Sequence, residues 1–168
     1  MTLTGKILLV ALTLGLGACT NADRFGPGGP GATDASMGAF GDPTDPTSQA
    51  FFMETIGDRI LFEVDTSTLT PQAEATLAEQ AQWLMANPAF NAVVEGHADE
   101  RGTREYNLGL SDRRAAAART FIVAQGVAPN RVSTVFFGKE RPIEICSTEA
   151  CYSQNRRAVT VLRAGSGV

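Results

Sequence analysis

A chain of 168 residues, 43% hydrophobic and 19% charged, can support one ordinary globular core but hardly two. Its formal net charge is −4 at pH 7, and it becomes −5 if a leader carrying Lys6 is removed, leaving 13 Lys and Arg against 18 Asp and Glu. That balance excludes nucleic acid as the main partner, because phosphate binding needs a basic surface.

The first 18 residues carry Lys6, an apolar run from Ile7 to Leu16 and then small residues, the layout of a secretory signal. The run is too short to cross a bilayer. Leu16-Gly17-Ala18-Cys19 resembles the lipobox of bacterial lipoproteins, which implies that Cys19 is lipidated and becomes the first mature residue. By the same resemblance Thr20, which is not an aspartate, directs the lipoprotein to the outer membrane, facing the periplasm. Residues 20–50 hold six glycines and four prolines and little that is apolar beyond Phe25, Met37 and Phe40. Together with Cys19 they read as a tether covering 19–50, with a coil span of roughly 30 Å for its 31 residues after the cysteine and about 100 Å when pulled straight.

The globular domain is expected over 51–168. Arg59 to Asp65 alternates, with Ile60, Phe62 and Val64 on one face, and predicts a first strand whose exit delivers Asp65 to a loop. Thr70-Pro71 is a helix start; Ala73, Leu77, Ala81 and Leu84 form its stripe, and Asn87-Pro88 ends it. A second strand runs from Asn91 to about His97, and a second helix from about Asn107 to Gln125, closed by Gly126. Val132 to Phe137 reads as a third strand, a loop with Pro142 and two cysteines follows, and Ala158 to Arg163 is the final strand. The order β, α, β, α, β, loop, β implies an α/β (α+β) sandwich, with two main helices packed on one face of a four-stranded sheet.

Cys146 and Cys151 lie five positions apart in a chain bound for an oxidising compartment, and they are expected to pair. Two cysteines with no nearby histidine fall short of a zinc set.

The stretch Glu95 to Arg114 holds acids, bases, three glycines and the lone histidine between a strand and a helix, where rigid elements can position binding groups. On a helical wheel Leu110, Ala117 and Phe121 fall within about 20° of one direction, flanked by Ala118 and Ile122, and Arg114 falls at about 40°, inside the apolar stripe. A sheltered guanidinium needs a negative partner. Asp99 is the nearest candidate, and Asp65 leaves on the same side if the first two strands are parallel. Two readings stand: a structural Asp99–Arg114 salt bridge, or a pair kept open for a ligand carrying both an amine and a carboxylate.

Gly96-His97-Ala98-Asp99-Glu100-Arg101-Gly102-Thr103, Glu105-Tyr106-Asn107 and Leu110-Ser111-Asp112-Arg113-Arg114-Ala115 resemble the OmpA-like peptidoglycan-binding domain and, within it, the peptidoglycan-associated lipoproteins (Pal). The likeness continues through Gly138 to Pro142 and Tyr152 to Ala158, covering roughly residues 58–163. It implies non-covalent binding of meso-diaminopimelate in the peptidoglycan stem peptide, with no enzymatic activity and no cofactor. Asp99 matches the family aspartate that takes the ligand amine, and Arg114 the arginine that takes its carboxylate. Asn107 matches a pocket-lining asparagine, while Asp65, Arg101 and Thr103 match supporting positions. Thr66-Ser67-Thr68 departs from the family, which has a more charged and aromatic turn there. The resemblance also implies Tol proteins as partners, TolB above all and TolA beside it, within the Tol–Pal system.

Three rival readings compete with it. Glu95, His97 and Asp99 share one side of a strand end, but a single histidine makes a poor catalytic metal set, and His97 is expected to be a hydrogen-bonded structural residue. Glu100 and Glu105 could serve a hydrolase as acid and base, although neighbouring arginines keep both ionised. The domain could also be chiefly a docking module for Tol proteins.

Overall fold

The computed structural model describes residues 40–164. The expected signal peptide of residues 1–18, the expected lipidation of Cys19 and most of the expected tether lie outside the described residues.

Order begins before the expected boundary at Phe51. Asp42 and Asp45 each accept from a backbone amide two residues on, from Thr44 and Thr47, which bends the chain into successive turns. Ser48 then caps α1 (Gln49–Phe51) by accepting from the Phe51 amide at 3.0 Å, and α1 runs into a π-helical turn over Phe52–Gly57. Trp83 donates its indole N–H to the Pro46 carbonyl at 2.7 Å, and Phe52, fully buried, lies 5.0 Å from the Trp83 ring. Residues 42–50, assigned above to the tether, are therefore part of the folded unit. Their two prolines, Pro43 and Pro46, sit in turns that a core tryptophan holds in place.

The sheet is mixed, in the order β1-β4-β2-β3. β2 (Phe90–Gly96) and β3 (Val132–Phe136) are parallel, and β4 (Arg157–Ala164) runs antiparallel to both β2 and β1 (Arg59–Leu61). β1 and β2 thus point the same way on either side of β4, which carries Asp65 and Asp99 to one edge of the sheet. β1 is shorter than its alternation suggests. Phe62 still donates to the Arg156 carbonyl at 2.8 Å, but the chain then turns away and Asp65 adopts a left-handed φ of 57°.

Two long helices cover one face. α2 (Pro71–Ala86) starts at its Thr70 cap and buries Ala73, Leu77, Ala81, Trp83 and Leu84. α3 (Arg104–Ala124) is capped by Thr103 and begins three residues ahead of the expected Asn107. These helices and the inward residues Ile60, Phe62, Ala92, Val94, Val132 and Ala158 form one core. A Cβ at Gly96 would lie 1.9 Å from the Ser111 carbonyl oxygen, so glycine there lets α3 lie directly on the end of β2. That close approach also turns the helix. Its buried face is Leu110, Ser111, Arg114, Ala115, Ala118 and Ile122, whereas Ala117 and Phe121, which the wheel placed at the centre, sit at the margin.

The loop after β3 contains an unexpected helix, α4 (Glu149–Asn155), next to a disulfide between Cys146 and Cys151. Asn155, fully buried, accepts from the amides of Ile143 and Glu144 and donates to the Glu144 carbonyl. With Cys151 its only buried apolar residue, α4 carries no periodic stripe to read.

Candidate functional site

Arg114 projects from the third turn of α3 into the gap between the ends of β1 and β2, and it is completely shielded from solvent. Its Nε donates to the Thr66 carbonyl at 2.9 Å, Nη1 to His97 at 2.9 Å and Nη2 to Glu63 at 3.2 Å. The guanidinium carbon lies 5.1 Å from the centre of the Phe62 ring. Carbonyl oxygens and a ring face are weak counterparts for a full charge, and among the described residues no carboxylate forms a salt bridge with it. Burial lowers its pKa to about 10, so at neutral pH it remains a cation. Three of its five N–H groups are used by those carbonyls, and the other two make no hydrogen bond among the described residues.

Asp99 is the nearby acid, but it pairs with other residues. Arg101 Nη2 donates to Asp99 Oδ2 at 2.6 Å and Arg156 Nη1 to the same oxygen at 3.2 Å, while the Arg101 amide reaches Oδ1 at 3.2 Å. Burial acts to raise the pKa of this carboxyl, and the bonds from Arg101 and Arg156 outweigh that, holding it below the usual aspartate value. The expected alternative of a direct Asp99–Arg114 salt bridge does not occur. An ionised aspartate and a counter-ion-free arginine instead line one cavity of about 300 Å³, together with Val64, Asp65, Tyr106, Asn107 and Arg156.

The OmpA family profile matches residues 61–156, from the end of β1 to the start of β4. The chain belongs to the OmpA family. A peptidoglycan-associated lipoprotein of Mesorhizobium japonicum is 48% identical over 165 residues, spanning 98% of this chain and 96% of that one. One from Brucella melitensis is 52% identical over 136 residues, 81% of this chain and 79% of the relative. The crystal structure of the peptidoglycan-associated lipoprotein from Burkholderia pseudomallei superimposes with a TM-score of 0.64 at 35% identity, covering 73% of this chain and 97% of that one. The C-terminal domain of Helicobacter pylori MotB, at 18% identity and a TM-score of 0.60, shares the fold.

Within this OmpA-family domain, five of the six residues singled out from the sequence meet at the cavity: Asp65, Asp99, Arg101, Asn107 and Arg114. Asn107 is buried and donates to the Arg101 carbonyl at 2.7 Å, fixing the loop that carries Arg101. Asp65 accepts from the Tyr106 hydroxyl, a link from the β1 loop to α3. Thr103 does not line the cavity. Its hydroxyl accepts from the Tyr106 amide at 3.2 Å as the cap of α3, which sets the direction of the helix bearing Arg114. The unusual Thr66-Ser67-Thr68 turn still serves the site, because Arg114 uses the Thr66 backbone and needs no side chain there.

Arg156 and Tyr106 are site residues that no role was assigned to from the sequence. Arg156 lies 94 positions from Phe62, whose carbonyl it also holds at 3.1 Å. Only its place in the Asn155-Arg156-Arg157 run of the family resemblance hinted at it.

His97 departs from its expected hydrogen-bonded role. Both ring nitrogens are buried without a hydrogen-bond partner among the described residues, with Glu95 Oε2 at 3.7 Å from Nε2 and the Phe137 ring 5.4 Å away, centre to centre. Burial, then repulsion from Arg157 and Arg141, lowers its pKa to about 4, so it is neutral at pH 7. Asp99 is engaged by two arginines, and no group of three His, Cys, Asp or Glu side chains that could hold a metal ion occurs among the described residues. No described helix is long and apolar enough to cross a membrane.

Proposed function

We propose that this domain binds peptidoglycan non-covalently by seating the free zwitterionic end of meso-diaminopimelate between Arg114 and Asp99. One observation carries the reading: a fully buried cation faces a cavity beside an ionised aspartate and forms no salt bridge of its own with a carboxylate among the described residues. The ligand carboxylate supplies the missing countercharge at the free N–H groups of Arg114, and the ligand ammonium approaches Asp99. A planar guanidinium beside a carboxylate discriminates a zwitterion from either charge alone. The names of the relatives, peptidoglycan-associated lipoproteins, support the same ligand.

With Cys19 lipidated, the chain is an outer-membrane lipoprotein that ties that membrane to the wall as a binding protein, without hydrolysing it. The exposed acids Glu100 and Glu105 stand outside the cavity lining. TolB is the protein partner within the Tol–Pal system, with TolA beside it. Val64 and Tyr106, about half exposed at the cavity rim, offer apolar surface to a partner that overlaps the wall site.

The deciding experiment is co-sedimentation with sacculi, with free meso-diaminopimelate as competitor. Diaminopimelate-type wall is expected to pellet the protein and lysine-type wall, which lacks the second carboxylate, to leave it in solution. Equal pelleting by both walls rejects the assignment, and a cleared zone in a wall-containing gel shows hydrolysis instead.

A further inference from the structure

We propose that Glu149 is a positioning residue for this site: it draws Arg101 and Arg156 partly off Asp99, and the Cys146–Cys151 disulfide holds it in place to do so. The inference rests on the reading of Asp99 as the acceptor of the ligand ammonium. Four side chains close a ring of charge. Asp99 Oδ2 meets Arg101 Nη2 at 2.6 Å, Arg101 Nη1 meets Glu149 Oε2 at 3.5 Å, Glu149 Oε1 meets Arg156 Nη2 at 2.6 Å, and Arg156 Nη1 returns to Asp99 Oδ2 at 3.2 Å.

The ring matters because of its sum. Two guanidinium groups on a single aspartate leave a net positive charge where an ammonium has to dock, and like charges at contact distance repel. Glu149 brings the total to zero. Arg156 cannot swing away to relieve the excess, since it is buried and its Nε is fixed on the Phe62 carbonyl. Glu149 itself does not line the cavity, so it acts through the arginines.

The second half of the proposal concerns what holds Glu149. It opens α4, whose seven residues are too few to form a stable helix unaided. Thr148, at the cap position, makes no side-chain capping bond. The same helix places the Tyr152 ring 4.6 Å from the Arg101 guanidinium carbon, so both of its contacts to Arg101 depend on its position. The disulfide from Cys151, inside α4, back to Cys146 closes a short loop that limits how far the helix can shift.

The test uses the full chain in detergent and two probes, meso-diaminopimelate and pimelate, the same dicarboxylate without its amines. Wild type is expected to prefer diaminopimelate. Glu149→Gln should weaken diaminopimelate about tenfold and should not weaken pimelate, because the uncompensated arginines repel an ammonium and attract a carboxylate. Glu149→Asp should recover part of the loss. Cys146→Ser/Cys151→Ser, checked for folding by its thermal transition, should show the same selective loss. Equal weakening of both probes by Glu149→Gln, or no weakening of either, overturns the positioning role. Retained selectivity in the double serine variant overturns the role of the disulfide. If wild type and Asp99→Asn bind diaminopimelate and pimelate alike, the ammonium reading of Asp99 fails first, and the role of Glu149 falls with it.

Discussion

Replacing Arg114 with methionine keeps most of the side-chain length and removes the charge together with every N–H. Burial lowers the Arg114 pKa from its ordinary value to about 10, and at about 1.4 kcal/mol per unit the cation is held against a penalty of about 3 kcal/mol. The variant escapes that penalty but loses three bonds to backbone carbonyls, each worth about 1.5–3 kcal/mol when the donor is charged. Glu63 and Thr66 lie in a loop that water can reach, so their carbonyls are rehydrated, and the net fall in stability is about 2–4 kcal/mol. Binding responds more simply. A ligand carboxylate loses its cation while Arg101 and Arg156 stay committed to Asp99, which costs about 2–4 kcal/mol, or about 30- to 1,000-fold in Kd. Urea denaturation gives the first quantity, and titration with meso-diaminopimelate, at a temperature where the variant remains folded, gives the second. A folded variant whose Kd stays within about threefold of wild type refutes the assignment of Arg114 as the carboxylate receptor.

Other expectations concern the scaffold. Unfolded His97 takes up a proton near pH 6.5 that the folded ring refuses until about pH 4, so stability is complete above this window and falls by about 3 kcal/mol as pH drops through it. His97→Phe should flatten that part of the urea-midpoint profile, and an unchanged slope assigns the effect elsewhere. Asp99, held below its ordinary 3.8, keeps its contribution until the pH falls under that value. Gly96→Ala forces a methyl group onto the Ser111 carbonyl and should destabilise by at least about 1–3 kcal/mol, with weakened wall binding as α3 lifts Arg114 out of register. A chain beginning at Phe51 strands the Trp83 indole without the Pro46 carbonyl and should lose about 1–3 kcal/mol relative to one beginning at Phe40. Equal melting of the two chains would return residues 40–50 to the tether.

Arg114 was visible in the sequence because it breaks a pattern: an arginine inside an apolar helical stripe requires a countercharge. The pattern could not say which atoms satisfy it. The sequence leaves Asp99 either as the salt-bridge partner of Arg114 or as its open counterpart, and the fold gives Asp99 to Arg101 and Arg156 and gives Arg114 three backbone carbonyls. The face of α3 was also misjudged, since a wheel weighs apolar size while the actual face follows the small residues Ser111 and Ala115, which allow contact at Gly96. Thr103 carried the right motif position and a different role, because a threonine ahead of a helix is first of all a cap.

By itself the sequence determined the alternation of strands and helices, the two long helices with the Thr70 cap of the first, and the cluster of charges between β2 and α3. These depend on periodicity and on contacts only a few residues apart. Only the tertiary structure decided that β4 inserts between β1 and β2, and with it that Arg156 reaches Asp99 and Phe62, that α4 brings Glu149 against two arginines and that residues 42–50 lean on Trp83. Those contacts join positions far apart in the chain, and no local spacing records which distant carbonyl or carboxylate will meet a given donor once the core has closed.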